Sequence, residues 1–243
     1  MKPFLLLATR AEDVAAQGEY EAMRTFGGLQ PHELLHIRLE AAPLPDLDLN
    51  EVSGVIVGGS PYNASDPVAE KGEVQLRVEK ELAGLLDEAV ARDLPFLGAC
   101  YGVGTLGVHQ GGVIDRTYGE PVGAVEVTLT PAGREDPLFE GIPTTFTAFV
   151  GHKEAVSTPP RGAVVLATSP SCPVQAFRIR QNLYATQFHP ELDIEGIVTR
   201  VRVYRDAGYF EPSELDRVIE GLLRAAVTHP PRMLANFVRR YAR

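Results

Sequence analysis

The chain has 243 residues, of which 44% are hydrophobic and 23% charged, values typical of one folded domain with a large core rather than of a disordered segment. Its formal net charge is −9, and no run of lysine or arginine is long enough to follow a phosphate backbone, so we expect no nucleic-acid partner. The apolar start, Met1 to Ala8, is too short to cross a membrane, and only two cysteines occur. These features predict a cytoplasmic protein with no membrane contact and no structural disulfide.

In the first hundred residues, short apolar runs alternate with helical patterns. Helices are predicted over Glu19–Phe26 and Glu73–Arg92, where apolar residues recur at helical spacing. The runs that predict strands are Phe4–Ala8, Leu34–Leu39, Val55–Val57 and Phe96–Ala99. Such alternation predicts an α/β fold with a parallel sheet covered by helices.

From about Gly112 the pattern becomes rich in strands separated by turn residues, which predicts antiparallel hairpins attached to the same sheet. The predicted strands are Val113–Ile114, Val122–Leu129, Thr145–Val150, Ala163–Thr168, Val174–Ile179 and Leu183–Gln187. Helical patterns return over Ile194–Asp206, Glu214–Val227 and Pro231–Tyr241. We therefore expect a domain over residues 1–195 and a C-terminal helical extension over 196–243 that packs on the same domain.

The segment Gly98-Ala99-Cys100-Tyr101-Gly102 directly follows the apolar run that ends at Leu97. This layout is typical of a tight strand-to-helix turn that presents a nucleophile, with a thiol in place of the more usual serine. Glycines at 98 and 102 fit the crowding of such a turn against the neighbouring strand. A helix N-terminus lowers a thiol pKa, so the pattern predicts a reactive Cys100.

A base and an orienting acid for this thiol are predicted at His189 and Glu191. They follow the apolar strand that ends at Phe188, and Pro190 stiffens the turn between them. A cysteine nucleophile needs a base within hydrogen-bond reach and a third group that fixes the tautomer of the base. We expect Cys100, His189 and Glu191 to form a catalytic triad at strand ends.

Backbone N–H donors for an oxyanion are predicted at two places. One is the N–H of Tyr101, directly after the nucleophile, and the other is the glycine turn Gly58-Gly59 that ends the strand Val55–Val57. Glycines at this turn let the main chain approach a substrate carbonyl closely. We expect Gly59 and Tyr101 to form an oxyanion hole, with Gly58 close to the substrate.

Taken together, the three motifs resemble those of the class I glutamine amidotransferases, most closely the amidotransferase part of GMP synthase. They occur in the order of that family and span most of residues 1–195. The resemblance implies a three-layer, flavodoxin-like fold with a mixed, mostly parallel sheet. It also implies hydrolysis of a glutamine side-chain amide through a γ-glutamyl thioester on Cys100, with no cofactor and no metal, and delivery of ammonia to a synthase.

Two departures from the family pattern bear on the substrate. Gly104 stands where the family usually has a substrate-binding glutamine, and Ser60 separates the glycine turn from Pro61. We expect the glycine at 104 to widen the pocket, which favours γ-glutamyl compounds besides free glutamine. A γ-glutamyl peptidase and a non-catalytic regulatory protein with the same fold therefore remain alternatives.

The residues after Leu192 do not resemble a synthase domain, so any ammonia acceptor is expected to be a separate chain. His152 is predicted either to line the substrate pocket or to anchor a strand end, and Cys172 is expected to be inert. Glycines near 102–104 and 111–112 lack the spacing of a dinucleotide fingerprint, so we expect no nucleotide cofactor.

Overall fold

A nine-stranded mixed sheet forms the centre of the computed structural model, which describes residues 1–243. Its strand order is β2-β1-β3-β4-β11-β10-β9-β6-β7, and β5 and β8 pair in a separate two-stranded sheet. The strands are β1 (Phe4–Ala8), β2 (Leu34–Arg38), β3 (Gly54–Val57), β4 (Phe96–Ala99), β5 (Val113–Asp115), β6 (Glu120–Leu129), β7 (Thr145–His152), β8 (Ala155–Thr158), β9 (Val164–Thr168), β10 (Ala176–Ile179) and β11 (Leu183–Thr186).

Five strands, β2, β1, β3, β4 and β11, run parallel to one another. The remaining four, β10, β9, β6 and β7, join antiparallel to their neighbours. The strand β11 is the junction between the two halves, because it pairs in parallel with β4 and antiparallel with β10. The parallel half brings the carboxyl ends of β1, β3, β4 and β11 to one edge of the sheet, where active sites of such folds lie.

Seven helices accompany the sheet. They are α1 (Asp13–Gly27), α2 (Glu73–Arg92), α3 (Tyr101–His109), α4 (Pro131–Glu135), α5 (Ile194–Val203), α6 (Leu215–Leu223) and α7 (Pro231–Tyr241). None of them combines the length and the apolar composition that crossing a membrane requires.

Alternate residues of β1 point into two different cores, as the pleat of a strand requires. Phe4 and Leu6 pack with α1 and α7 on one face, in the cluster that holds Met23 and Phe237. Leu5 and Leu7 pack on the other face with α2 and α3. Helices therefore cover both faces, which confirms the predicted three-layer α/β fold with a mixed sheet.

Several boundaries differ from the predicted ones. Helix α1 begins at Asp13 rather than Glu19, because the small residues Ala15 and Ala16 bury that face without a strong apolar signal. The turn residues between the predicted strands Val122–Leu129 and Thr145–Val150 include the short helix α4, which begins at Pro131 and is capped by the Thr130 hydroxyl. Helices α5 and α6 end earlier than predicted, and the four-residue strand β8 was not predicted.

Candidate active site

Cys100 lies on the sharp turn between β4 and α3, which we call the elbow. Its backbone adopts φ 53° and ψ −90°, a conformation that costs a non-glycine residue free energy and is concentrated at functional sites. The Cys100 N–H donates to the Thr186 carbonyl at 2.8 Å, which fixes the turn to the end of β11. A Cβ atom on Gly98 would lie 2.7 Å from the Gly102 carbonyl carbon, so the crowding predicted for this turn is present.

His189 and Glu191 follow β11, the strand next to β4. The register pairs Thr186 with Ala99, so the residues after these two strands emerge side by side. His189 Nδ1 lies 2.8 Å from Glu191 Oε1, and both side chains are buried. A carboxylate at Nδ1 fixes the proton there and leaves Nε2 as the acceptor of the neutral ring.

One cavity, which we call the apolar cavity, is lined by both Cys100 and His189. Nine of its 14 lining residues are hydrophobic. Its apolar wall is formed by Val122, Leu192, Ile197, Val201, Tyr209 and Phe210. The structure thus brings the predicted nucleophile, base and acid to one edge of the sheet from segments almost ninety positions apart.

A second cavity, which we call the polar pocket, is lined by Cys100 and Tyr101 but not by His189. Its polar side chains are Ser60, Asn63, His152, Lys153, Glu154 and Gln187. Tyr209 lines both cavities. Lys153 Nζ lies 4.7 Å from the centre of the Tyr209 ring and donates to the Ala207 carbonyl at 2.7 Å, so Lys153 holds the segment that separates the two cavities.

The glycine turn after β3 lies beside the base. A Cβ atom on Gly59 would be 2.8 Å from His189 Cε1, and one on Gly58 would collide with the Glu19 carboxylate. The Gly59 N–H donates to Glu19 Oε1 at 3.2 Å, so this N–H already has an acceptor. Tyr101 begins α3, where an N–H has no acceptor within the helix. The oxyanion roles of Gly59 and Tyr101 remain predictions.

Three charged residues that the sequence analysis missed surround the acid and the glycine turn. Arg200 of α5 donates from Nη1 to Glu191 Oε1 at 2.8 Å and from Nη2 to Glu19 Oε1 at 3.2 Å. Arg10, just after β1, donates from Nε to the same Glu19 oxygen at 3.0 Å. A signal was present, because a charged side chain on the buried face of an amphipathic helix, like Glu19 between Ala15 and Met23, is rare unless it is paired.

The pKa values indicate that Cys100 and His189 are both uncharged in the resting protein. The close packing of protein atoms around the thiol raises the pKa of Cys100 to about 12, so the predicted lowering by the helix N-terminus is wrong for this state. Burial also lowers the pKa of His189, against the attraction of Glu191. The pKa of Glu191 falls despite its burial, because His189 and Arg200 stabilise the carboxylate. At neutral pH the site therefore holds a thiol, an uncharged imidazole and a carboxylate.

Alkylation of Cys100 by iodoacetamide is expected to be slow at neutral pH and to accelerate about tenfold for each pH unit up to about pH 10. The reason is that only the thiolate reacts and the thiol pKa is about 12. Initial rates measured by intact mass between pH 7 and 10, with Cys100→Ala as the blank, test this. A rate that is already constant above pH 7 would show a preformed thiolate and contradict the prediction.

A family model described as glutamine amidotransferase class-I matches residues 29–196, which is more than half of the chain. The chain belongs to the class-I glutamine amidotransferases. The matched range contains the elbow, the glycine turn and both His189 and Glu191.

Among relatives, the chain is similar to the GMP synthase [glutamine-hydrolyzing] of Porphyromonas gingivalis, with 36% identity over 151 residues. The alignment covers 61% of this chain but 26% of that protein, so the chain spans about a quarter of the length of this relative. One subunit of the GMP synthase of Methanocaldococcus jannaschii is 31% identical over 152 residues, which cover 62% of this chain and 71% of that relative.

The fold is also similar to solved structures. A glutamine amidotransferase from Thermotoga maritima superposes with a TM-score of 0.78 at 20% identity, over 99% of this chain and 98% of that one. A glutamine amidotransferase from Methylobacillus flagellatus gives a TM-score of 0.70 at 20% identity, over 100% of this chain and 96% of that one. The chain thus shares its fold with these proteins across nearly its whole length, including α5 to α7.

At position 104, the structure corrects the expected widening of the pocket. A Cβ atom on Gly104 would lie 2.9 Å from Glu154 Oε1 and 3.0 Å from the Ala64 Cβ. The Glu154 carboxylate accepts the N–H groups of Ala64 at 2.8 Å and Ser65 at 2.7 Å. Glu154 and the loop that it holds therefore fill the space beside the glycine, and no longer side chain fits there.

His152 anchors strand ends, as one of its two predicted roles requires, and whether the cavity that it lines binds substrate stays a prediction. It lines the polar pocket, while Nε2 lies 2.8 Å from Glu120 Oε2 and Nδ1 lies 2.9 Å from the Glu154 carbonyl oxygen. Glu120, His152 and Cys172 place potential metal-ligand atoms within 4.8 Å of one another. Gln175 also donates to Glu120 Oε2 at 2.6 Å, so the carboxylate already serves a hydrogen-bond network that anchors the strand ends.

Proposed function

We propose that the protein is an amidohydrolase that cleaves the side-chain amide of glutamine or of a γ-glutamyl compound through a thioester on Cys100. The observation that carries the proposal is the single cavity lined by Cys100 and by a buried His189 whose Nδ1 is hydrogen-bonded to Glu191. A nucleophile, a base and a group that orients the base are the parts that acyl transfer requires. Membership of the class-I glutamine amidotransferases supports the choice of amide.

In the proposed reaction, Cys100 Sγ attacks the amide carbonyl carbon while its proton passes to His189 Nε2. The carbonyl oxygen becomes an oxyanion, for which the Tyr101 N–H at the start of α3 is a suitable donor. His189 then gives the proton to the leaving nitrogen, the C–N bond breaks and a thioester remains. Water attacks the thioester with His189 as base, which releases the acid and restores the thiol.

The two cavities suggest how a γ-glutamyl amide would lie. The leaving nitrogen must face His189, which protonates it, so the leaving group would occupy the apolar cavity. The γ-glutamyl part, with its α-amino and α-carboxylate groups, would extend toward the polar pocket beside Lys153 and Glu154, which has room for about one water molecule in this structure and would have to open. Ammonia needs no apolar wall, whereas an amine or a peptide can use one. This observation favours the γ-glutamyl peptidase as the second candidate.

An acceptor for released ammonia is part of the first candidate. One relative is described as one of the subunits of a GMP synthase, and by this likeness we propose that a separate synthase chain accepts the ammonia. The second candidate requires no such partner, because the amine or peptide itself is the product.

A substrate comparison tests the proposal and separates the two candidates. Purified protein is incubated with free glutamine, which is the γ-glutamyl amide of ammonia, and with the γ-glutamyl amides of methylamine and of an apolar amine such as benzylamine, and the ammonia or amine released is quantified. Turnover of glutamine supports the amidotransferase, and a higher kcat/KM for the apolar amide supports the peptidase. Absence of turnover and of any acyl adduct on Cys100 by intact mass would contradict both.

A further inference from the structure

Four buried charges form a chain that reaches from the base to the glycine turn. Glu191 Oε1 accepts hydrogen bonds from His189 Nδ1 and Arg200 Nη1. Glu19 Oε1 accepts hydrogen bonds from Arg200 Nη2 and Arg10 Nε. The order is therefore His189, Glu191, Arg200, Glu19, Arg10, and every member is at most 7% exposed.

The geometry concentrates the contacts on one oxygen of each carboxylate. Oε1 of Glu19 also accepts the Gly59 N–H at 3.2 Å, whereas Oε2 of both Glu19 and Glu191 is buried without a hydrogen-bond partner. Leaving a buried carboxylate oxygen without a partner has a free-energy cost that a purely structural ion pair would avoid. In this arrangement Arg200 contacts two carboxylates at once. One is Glu191, which is hydrogen-bonded to His189, and the other is Glu19, which accepts the Gly59 N–H.

We infer that Arg200 and Glu19 are positioning residues that set the orientation of Glu191 and of the Gly58–Gly59 turn together and balance the charge beside Cys100 and His189. The inference rests on the proposed function, since it assigns roles within the same site. Arg200 acts through Glu191 and through its own Nη1, which also lies 3.1 Å from His189 Nδ1, and Glu19 acts through the Gly59 N–H. Neither is proposed to touch the reacting atoms.

Charge balance supplies the distinguishing feature of this inference. The two arginines and two glutamates sum to zero, and the charged or titratable groups that face the His189 ring come from separate elements. These groups are Glu191 on its own segment, Arg200 from α5, Arg10 after β1 and Cys100 from the elbow. Removing Arg200 leaves a net negative cluster, which disfavours the thiolate and favours the imidazolium. Neutralising Glu19 leaves a net positive cluster, which does the opposite.

Substitution of Arg200 and of Glu19 is therefore expected to move the alkylation rate of Cys100 and the pH profile in opposite directions. Relative to wild type, Arg200→Met should slow the alkylation of Cys100 by iodoacetamide at pH 8 about tenfold, and Glu19→Gln should accelerate it about tenfold. The acidic limb of the kcat/KM profile should move to higher pH in Arg200→Met and to lower pH in Glu19→Gln. Misplacement of the acid should also lower kcat of Arg200→Met about 100-fold.

Matched controls come from a second ion pair, between the partly exposed Arg178 and the buried Asp136, at 2.9 Å. Neither residue lines the apolar cavity or the polar pocket. Arg178→Met and Asp136→Asn remove the same kinds of charge and are expected to lower the thermal midpoint without shifting the alkylation rate or the pH profile. Arg200→Lys keeps the charge and should restore the alkylation rate of Arg200→Met to near the wild-type value.

The outcomes separate this inference from the proposed function. Alkylation requires no substrate, so it tests the charge balance even if wild-type protein hydrolyses no γ-glutamyl amide. Opposite shifts in Arg200→Met and Glu19→Gln support the positioning role. Shifts in one direction, or none beyond those of the Arg178 and Asp136 controls, overturn it. If Arg200→Met does not fold, Glu19→Gln decides alone: faster alkylation supports the inference, and unchanged or slower alkylation overturns it.

Discussion

Cys100→Ala is expected to abolish hydrolysis of every γ-glutamyl amide that the wild-type protein cleaves, with a loss of about 10⁶-fold in kcat. Alanine cannot form the thioester, and no other thiol lies near the base, since Cys172 is fully buried in a different cluster. The measurement is amine or ammonia release at saturating substrate. It is accompanied by intact mass after treatment with a glutamine-like diazo-ketone, which should add to the wild type and not to the variant.

The control for this prediction is Cys172→Ala. That substitution removes the remaining thiol without touching either cavity beside Cys100, so hydrolysis and diazo-ketone labelling should both persist. Full hydrolysis in Cys100→Ala would contradict the enzymatic proposals. A wild-type protein that neither turns over nor forms an adduct would instead favour the non-catalytic alternative, in which the fold is retained for binding or regulation.

Gly98→Ala is expected to disrupt the elbow as well as the stability of the protein. The new Cβ would lie 2.7 to 2.8 Å from the Gly102 carbonyl carbon, Cα and carbonyl oxygen. These are backbone atoms that no change of rotamer can move aside. Relief of the overlap requires β4 and α3 to separate, which should cost about 1–3 kcal/mol of unfolding free energy. The same displacement moves Cys100 away from His189, so kcat should fall at least about 100-fold.

Gly84→Ala is a matched control for this substitution. Gly84 lies within α2, and nothing stands within 4 Å of the position that its Cβ would occupy. Alanine in a helix interior is favoured over glycine, so the free energy of unfolding of this variant should rise by about 0.5–1 kcal/mol without loss of activity. Chemical denaturation and steady-state rates measure both effects. A Gly98→Ala protein as stable and active as wild type would show that the elbow tolerates the extra methyl group.

The sequence predicted the layers of the fold better than the ends of its elements. Strands such as Phe4–Ala8 and Phe96–Ala99 are recovered with their exact bounds, because an uninterrupted apolar run buried on both faces is a strong local signal. The start of α1 was missed, because it depends on alanines that bury little area. The junction at β11, parallel on one side and antiparallel on the other, depends on long-range pairing that no local pattern specifies.

The candidate site was predictable where one motif carried the information. Cys100 stands directly after β4, and His189 and Glu191 follow within about five residues of the end of β11, so their chemistry and their position at the sheet edge could be inferred together. The raised pKa of Cys100 could not be inferred from the sequence, because the effect of burial depends on atoms contributed by distant segments. The effect of Gly104 also depended on a distant residue, since Glu154 fills the space that glycine was expected to open.

Arg10, Glu19 and Arg200 all lie outside residues 29–196, the stretch that the family model matches. The matched range thus contains Cys100, His189 and Glu191, while the flanking segments supply the three charges that join Glu191 in the buried chain. A fragment cut at residue 195 would retain every family motif yet leave the Glu19 and Glu191 carboxylates with one guanidinium between them. It would also lose the α7 side chains that pack against Phe4. Substitutions at Arg10, Glu19 or Arg200 would therefore change the charge beside Cys100 and His189 while leaving the matched motifs unaltered.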